Sequence, residues 1–199
     1  FVAQDEEAGV IFDNFEDFFN DRPSLGSIDK LDLFFAWGNE EYNFLIKKFG
    51  KKIVNNLGGL RSCFWGDLGK EFYKTKTQKL KKKYGNYILL VSNLATFNSF
   101  LGKEKDLKLE SKREFFNLDE YNKLYQTEKN TFLQYIELVE LITTELKKNV
   151  VIRPHPSEGM KGWKEALKGL KNVFIENDGD LLPWILASDF IIQNNCTSA

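Results

Sequence analysis

The sequence predicts a doubly wound α/β protein in which helices cover parallel β-sheets. Three observations carry this. Short apolar runs such as Tyr87–Val91 and Val150–Ile152 have strand length and lack a helical period. Other stretches place apolar residues at helical spacing, as at Tyr42, Leu45, Ile46 and Phe49. The two kinds of segment alternate, and alternation of strand and helix requires parallel βαβ units.

Phe1–Ala3 reads as the end of a strand, and an acidic segment ending at Gly9 follows it. A short helix is expected at 14–20 and a loop at 22–29, where Pro23 and Gly26 break regular structure. A buried strand over 31–38, a helix over 40–49 and a short strand with a glycine turn complete the first series. Residues 61–85 are less regular and hold the lysine-rich KTKTQKLKKKYG, which is either a solvated helix and linker or a patch for anionic lipid head groups. A domain boundary is placed here, giving domains 1–75 and 76–199. The second series opens with a strand at 86–93. A charged, loop-like region is expected over 101–117, then a long helix over 118–148. A strand at 149–153, a helix at 162–170, the strand NVFIE, the helix LLPWILA and the strand DFIIQN follow.

Composition narrows the function classes. Of 199 residues, 42% are hydrophobic and 29% charged, as in an ordinary globular protein. A net charge of -1 gives no electrostatic footprint for nucleic acid. No apolar run reaches the roughly 18–20 residues of a membrane span. Cys63 and Cys196 make no disulfide framework, so a reducing cytoplasm is expected. The chain begins at Phe1 inside an apparent strand and stops at Ala199 where a helix should begin, so a fragment of a longer protein is expected, truncated at both ends.

In parallel α/β sheets, ligands bind beyond the carboxyl ends of the strands. Three polar clusters of the second series fall there: SNLATFN, with Ser92 and Asn93; RPHPSE, with Arg153, His155, Pro156 and Glu158; and NNCTS, with Asn195, Thr197 and Ser198. His155 is the only histidine, and Pro154 and Pro156 on either side stiffen its backbone. Arg153 or His155 can place a positive charge or an N–H donor on a phosphate oxygen. Thr197 and Ser198 offer hydroxyls and backbone N–H groups at an expected helix start, where anions are favoured. Glu158 is an acceptor suited to ribose hydroxyls. NNCTS also reads as a plain helix cap and His155 as a structural side chain. Asp5, Glu6 and Glu7 are adjacent carboxylates, either a solvated loop or a source of one base with a raised pKa. They have no nearby histidine with which to hold a metal.

RPHPSE, followed about 40 residues later by ASDFIIQNNCTSA, resembles the C-terminal half of bacterial glycosyltransferases of the GT-B type that build surface carbohydrate. Within that group the chain is similar to the sialyltransferases and Kdo transferases, which use CMP-activated acidic sugars. DEEAG resembles their acidic-Gly motif, His155-Pro156 their His-Pro motif, and Thr197-Ser198 their Ser/Thr motif. FFAWGNEEYN and YILLVSN are similar to their inter-domain region. The resemblance implies two Rossmann-like domains facing a cleft, a nucleotide-sugar donor, a glycan acceptor and no metal or other cofactor. It implies a base among Asp5, Glu6 and Glu7, with Ala8 separating them from Gly9. It implies that His155, Thr197 and Ser198 hold the CMP phosphate and that Glu158 contacts ribose or base; peripheral contact with the inner membrane is the expectation under the lipid reading of the lysine-rich run. CDP-glycerol polymer transferases share a similar Arg-Pro-His-Pro turn and Ser-rich helix start. A non-catalytic sugar-nucleotide-binding module is the remaining reading.

Overall fold

The computed structural model describes residues 1–4, 16, 25–50, 52–113 and 116–194. Asp5, Glu6, Glu7, Asn195, Thr197 and Ser198 lie outside them, as does the helix expected at 14–20 apart from Glu16. The chain divides into two compact units, Phe1–Phe72 and Tyr73–Ala199. Both are α/β with parallel sheets, consistent with a Rossmann-like fold.

In the first unit the strands β1 (Val2–Ala3), β2 (Leu33–Ala36) and β3 (Val54–Asn56) lie in that order, all parallel. Helix α1 (Leu25–Ile28) precedes β2, and α2 (Asn39–Phe49) crosses from β2 to β3. Phe34, Ala36 and Val54 from the sheet pack with Ile28 and Leu45. Helix α2 carries Glu40 and Glu41 in its first turn and Lys47 and Lys48 in its last, matching the helix dipole at both ends.

A 3₁₀ segment (Leu60–Trp65) leads into α3 (Asp67–Tyr84). Gly85 turns the chain at φ 65°, a conformation costly for other residues. The second unit then follows: β4 (Tyr87–Ser92), α4 (Lys103–Glu110), α5 (Leu118–Thr144), β5 (Asn149–Pro154), α6 (Met160–Ala166), β6 (Val173–Ile175), α7 (Leu182–Ala187) and β7 (Phe190–Gln193). The strand order is β6-β5-β4-β7, all parallel.

Alternation along the central strands sorts the core into two layers. Leu90, Val150 and Ile152 face Phe132, Tyr135, Val139, Ile142, Trp163 and Leu167 of α5 and the α6 segment. Tyr87, Leu89, Val91 and Val151 face Tyr84, Trp184 and Ala187, from α3 and α7. Strands covered on both faces must be apolar throughout, which is why Tyr87–Val91 and Val150–Ile152 are continuous runs.

One segment departs from expectation. Residues 103–110, expected as loop, form α4, which has no buried residue and therefore no apolar stripe in the sequence. Its Lys, Glu and Leu residues are good helix formers, and propensity alone gives no periodic signal. The lysine-rich run lies in the 18-residue α3, the solvated helix that was one of its two expected readings, and Lys76 and Lys83 pair with Asp180 and Glu176. Among the described residues no helix is long and apolar enough to cross a membrane.

Trp163 is fully buried, its ring 4.5 Å from Phe132 and 6.4 Å from Tyr135. Trp163→Ala is expected to destabilise the second unit by about 3–5 kcal/mol, read as a lowered urea midpoint; a change under about 1 kcal/mol would place the ring outside the core.

Candidate functional site at the carboxyl edge of the second sheet

Strands β4, β5 and β6 step outward in one direction, and β7 returns to the other side of β4. The carboxyl ends of β4 and β7 therefore flank the topological switch point, where open α/β sheets form their ligand crevice. Asn93 follows β4 and Asn194 follows β7. Asn194 Oδ1 accepts from the Asn93 N–H at 3.0 Å, and its Nδ2 donates to the Asn93 carbonyl at 3.1 Å. The Tyr135 hydroxyl donates to the same Oδ1 at 3.3 Å. Burial, with the nearby Glu158 carboxylate adding to it, pushes the Tyr135 pKa up to about 12, so it remains a donor at neutral pH.

Glu158 is buried, with 3% of its surface exposed. Oε1 accepts from Ser92 Oγ at 2.8 Å and from the N–H groups of Leu94 and His155, both at 3.1 Å. Oε2 accepts from Trp163 Nε1 at 3.1 Å and Asn98 Nδ2 at 3.3 Å. One carboxylate thus ties the β4 loop, the His-Pro turn and α6 together. It turns inward because Glu158 N–H closes on the His155 carbonyl at 2.8 Å, while Ser99 and Glu158 form an antiparallel bridge. The approach is close: a Cβ at Gly162 would lie 2.5 Å from Asn98 Oδ1.

A second carboxylate holds the same loop from α5. Glu128 Oε2 accepts from the N–H groups of Thr96 and Phe97, both at 2.8 Å. Burial raises its pKa more than these hydrogen bonds lower it, and the charge of Glu158 adds to the rise. The amides of Leu94, Thr96 and Phe97 are therefore turned onto two carboxylates, so they do not form an open cradle for phosphate.

Several sequence expectations are corrected by this arrangement. Glu158 has no oxygen for ribose, because five protein donors occupy both. Ser92 is buried and gives its hydroxyl to Glu158 rather than to a nucleotide. Arg153 is 7% exposed and donates from Nη1 to the Asp178 carbonyl at 2.6 Å and from Nη2 to the Gly179 carbonyl at 2.7 Å. Its guanidinium lies 4.9 Å from the Trp184 ring centre. Burial lowers its pKa, opposed by the charges of Asp178 and Glu176. Arg153 thus anchors the loop after β6 and does not reach outward to a phosphate.

His155 is arranged differently. It is half-buried beside the exposed Pro156, and Nδ1 accepts from the Ser157 N–H at 3.2 Å. That hydrogen bond leaves the proton of the neutral ring on Nε2, which makes no hydrogen bond to a described residue. Its backbone is pinned by N–H donation to the Ser92 carbonyl at 3.0 Å and to Glu158. Sequence reasoning missed Glu128 and Asn194. Nothing separates Glu128 from the other carboxylates of its helix, but the polar doublet after the apolar Phe190–Ile192 run marks Asn194 as well as Asn195.

The structure brings Asn93, His155 and Asn194 to one edge, held by Glu128 and Glu158. Among the described residues no group of three or more His, Cys, Asp or Glu side chains is gathered as a metal site. Compared with family models, curated proteins and solved structures, the chain matches none.

The raised pKa of Glu128 has a stability consequence. Below about pH 4.5, its ordinary value, folded and unfolded states both hold the proton and the contribution is fully present. As pH rises through the folded pKa the contribution is lost. The urea stability of wild type minus that of Glu128→Gln is expected to fall as pH increases from 4.5 and then level off; a difference that grows with pH would contradict the assignment.

Proposed function

We propose that the chain is a nucleotide-sugar-dependent glycosyltransferase of the GT-B type that acts in bacterial surface polysaccharide synthesis. The donor is a CMP-linked acidic sugar, and transfer to the glycan acceptor is inverting and metal-independent. The observation that carries the reading is the His155 ring at the carboxyl edge, its Nε2–H left as a donor by the Ser157 hydrogen bond. In this mechanism Nε2–H donates to the departing CMP phosphate as negative charge develops there. The backbone bonds of His155 fix the ring before the donor arrives, so little orientation is lost on binding.

The remaining roles fall on residues outside the described ones. One carboxylate of Asp5, Glu6 and Glu7 takes the acceptor hydroxyl proton, and Asn195, Thr197 and Ser198 hold the phosphate. The protein works in the cytoplasm, at the inner face of the membrane. Ser92, Arg153 and Glu158 act here as supports and not as ligand contacts.

Calorimetric titration of the full chain tests the reading. CMP is expected to bind more tightly than CDP, and His155→Ala to weaken CMP about tenfold, the equivalent of about 1.4 kcal/mol. Preference for CDP would favour a CDP-glycerol polymer transferase, and unchanged CMP affinity in the variant would remove His155 from the site. Transfer that survives conversion of Asp5, Glu6 and Glu7 to amides would remove the base from that cluster.

A further inference from the structure

The second unit contains a cavity of about 850 Å³ between the β4 loop, α4 and the start of α5. The volume falls within the range of about 300–1,000 Å³ usual for small-molecule sites. Ser157, two residues beyond His155, forms part of its wall. Three of its apolar lining residues are unusually open to solvent: Phe100 at 63%, Leu109 at 53% and Leu124 at 49%. Single exposed apolar residues are ordinary, but several converging on one concavity mark a binding surface.

The charged lining is unbalanced. Glu110 pairs with Arg113 at 3.1 Å, which cancels the one cation that lines the cavity among the described residues. Asp106 and Glu120 then leave an excess of negative charge. Asp106 is held in place by the Tyr121 hydroxyl at 3.0 Å and retains acceptor capacity on its carboxylate. An aromatic face beside carboxylates, one of them held by Tyr121, suits a sugar ring, whose C–H face stacks on the ring while its hydroxyl or ammonium groups donate to the acids. The same carboxylates repel a phosphate or a sugar acid brought into the cavity.

We propose that this cavity binds a short neutral or amine-bearing oligosaccharide and rejects acidic ones. Under the glycosyltransferase reading, on which only the occupant's role rests, that oligosaccharide is the acceptor. Its position beside Ser157 places it next to the His-Pro turn.

Saturation-transfer NMR on the full chain tests the pocket with three probes: a glucosamine trimer, an N-acetylglucosamine trimer and sialyllactose. The glucosamine trimer is expected to bind at least as well as the N-acetylated one, and both at least tenfold more tightly than sialyllactose. Phe100→Ala and Asp106→Asn should each weaken the first two tenfold or more while the circular dichroism spectrum stays that of wild type. Binding of none of the probes, equal binding of sialyllactose, or indifference to both substitutions would overturn the proposal. CMP titration of the same variants separates the two claims. Saccharide binding without CMP binding keeps the pocket and removes the donor assignment, whereas CMP binding without saccharide binding removes the pocket alone.

Discussion

A single buried carboxylate organises the edge of the second sheet. Glu158 accepts hydrogen bonds from five donors on three separate segments. A charge removed from water is costly unless hydrogen bonds replace its hydration, and here they do so completely. Among the described residues the Leu94 amide, the Ser92 hydroxyl and the Trp163 indole have this carboxylate as their acceptor, whereas the His155 amide is shared with the Ser92 carbonyl and the Asn98 side chain with the Gly159 carbonyl. Loss of the carboxylate leaves three buried donors unpaired at once, so those three behave as one unit. The apolar contacts of Trp163 with Phe132 and Tyr135 then connect this unit to the sheet's core.

Much else follows from this arrangement. With the β4 loop held by Glu128 and Glu158, its amides are spent inside the protein and the outward-facing chemistry passes to the His-Pro turn. Arg153 does similar work on the other side, fastening the loop after β6 through two carbonyls and the face of Trp184. Asn194 joins the two strands at the switch point from a distance of 101 residues in sequence. Four side chains, Glu128, Glu158, Arg153 and Asn194, thus fix the loops of this edge, and the half-buried imidazole of His155 is left there.

The sequence revealed the architecture because burial on both faces writes itself plainly: Tyr87–Val91 and Val150–Ile152 could be little other than central strands. The long α5 was legible from Phe132, Ile136, Val139, Leu141 and Ile142, of which Leu141 faces solvent. Helix α4 was not, because it buries nothing. The site divided in the same way. The carboxyl-end clusters of β4 and β5 were visible as polar residues after apolar runs, but the direction each side chain takes was not. Glu158 and Arg153 looked outward because charged residues on turns usually are. They point inward because their partners, Trp163, Leu94 and Asp178, are assembled by strand pairing that no local pattern records. Glu128 was invisible for the same reason, being 31 and 32 residues from the amides it holds.

Native-state hydrogen exchange at the Leu94 amide and the Trp163 indole N–H tests the Glu158 assembly most directly. The two donate to opposite oxygens of the one buried carboxylate, so they are expected to exchange together and only through global unfolding, with opening free energies equal to the stability of the unit. Exchange through local opening, or at unrelated rates for the two N–H groups, would show that the carboxylate does not hold the edge together.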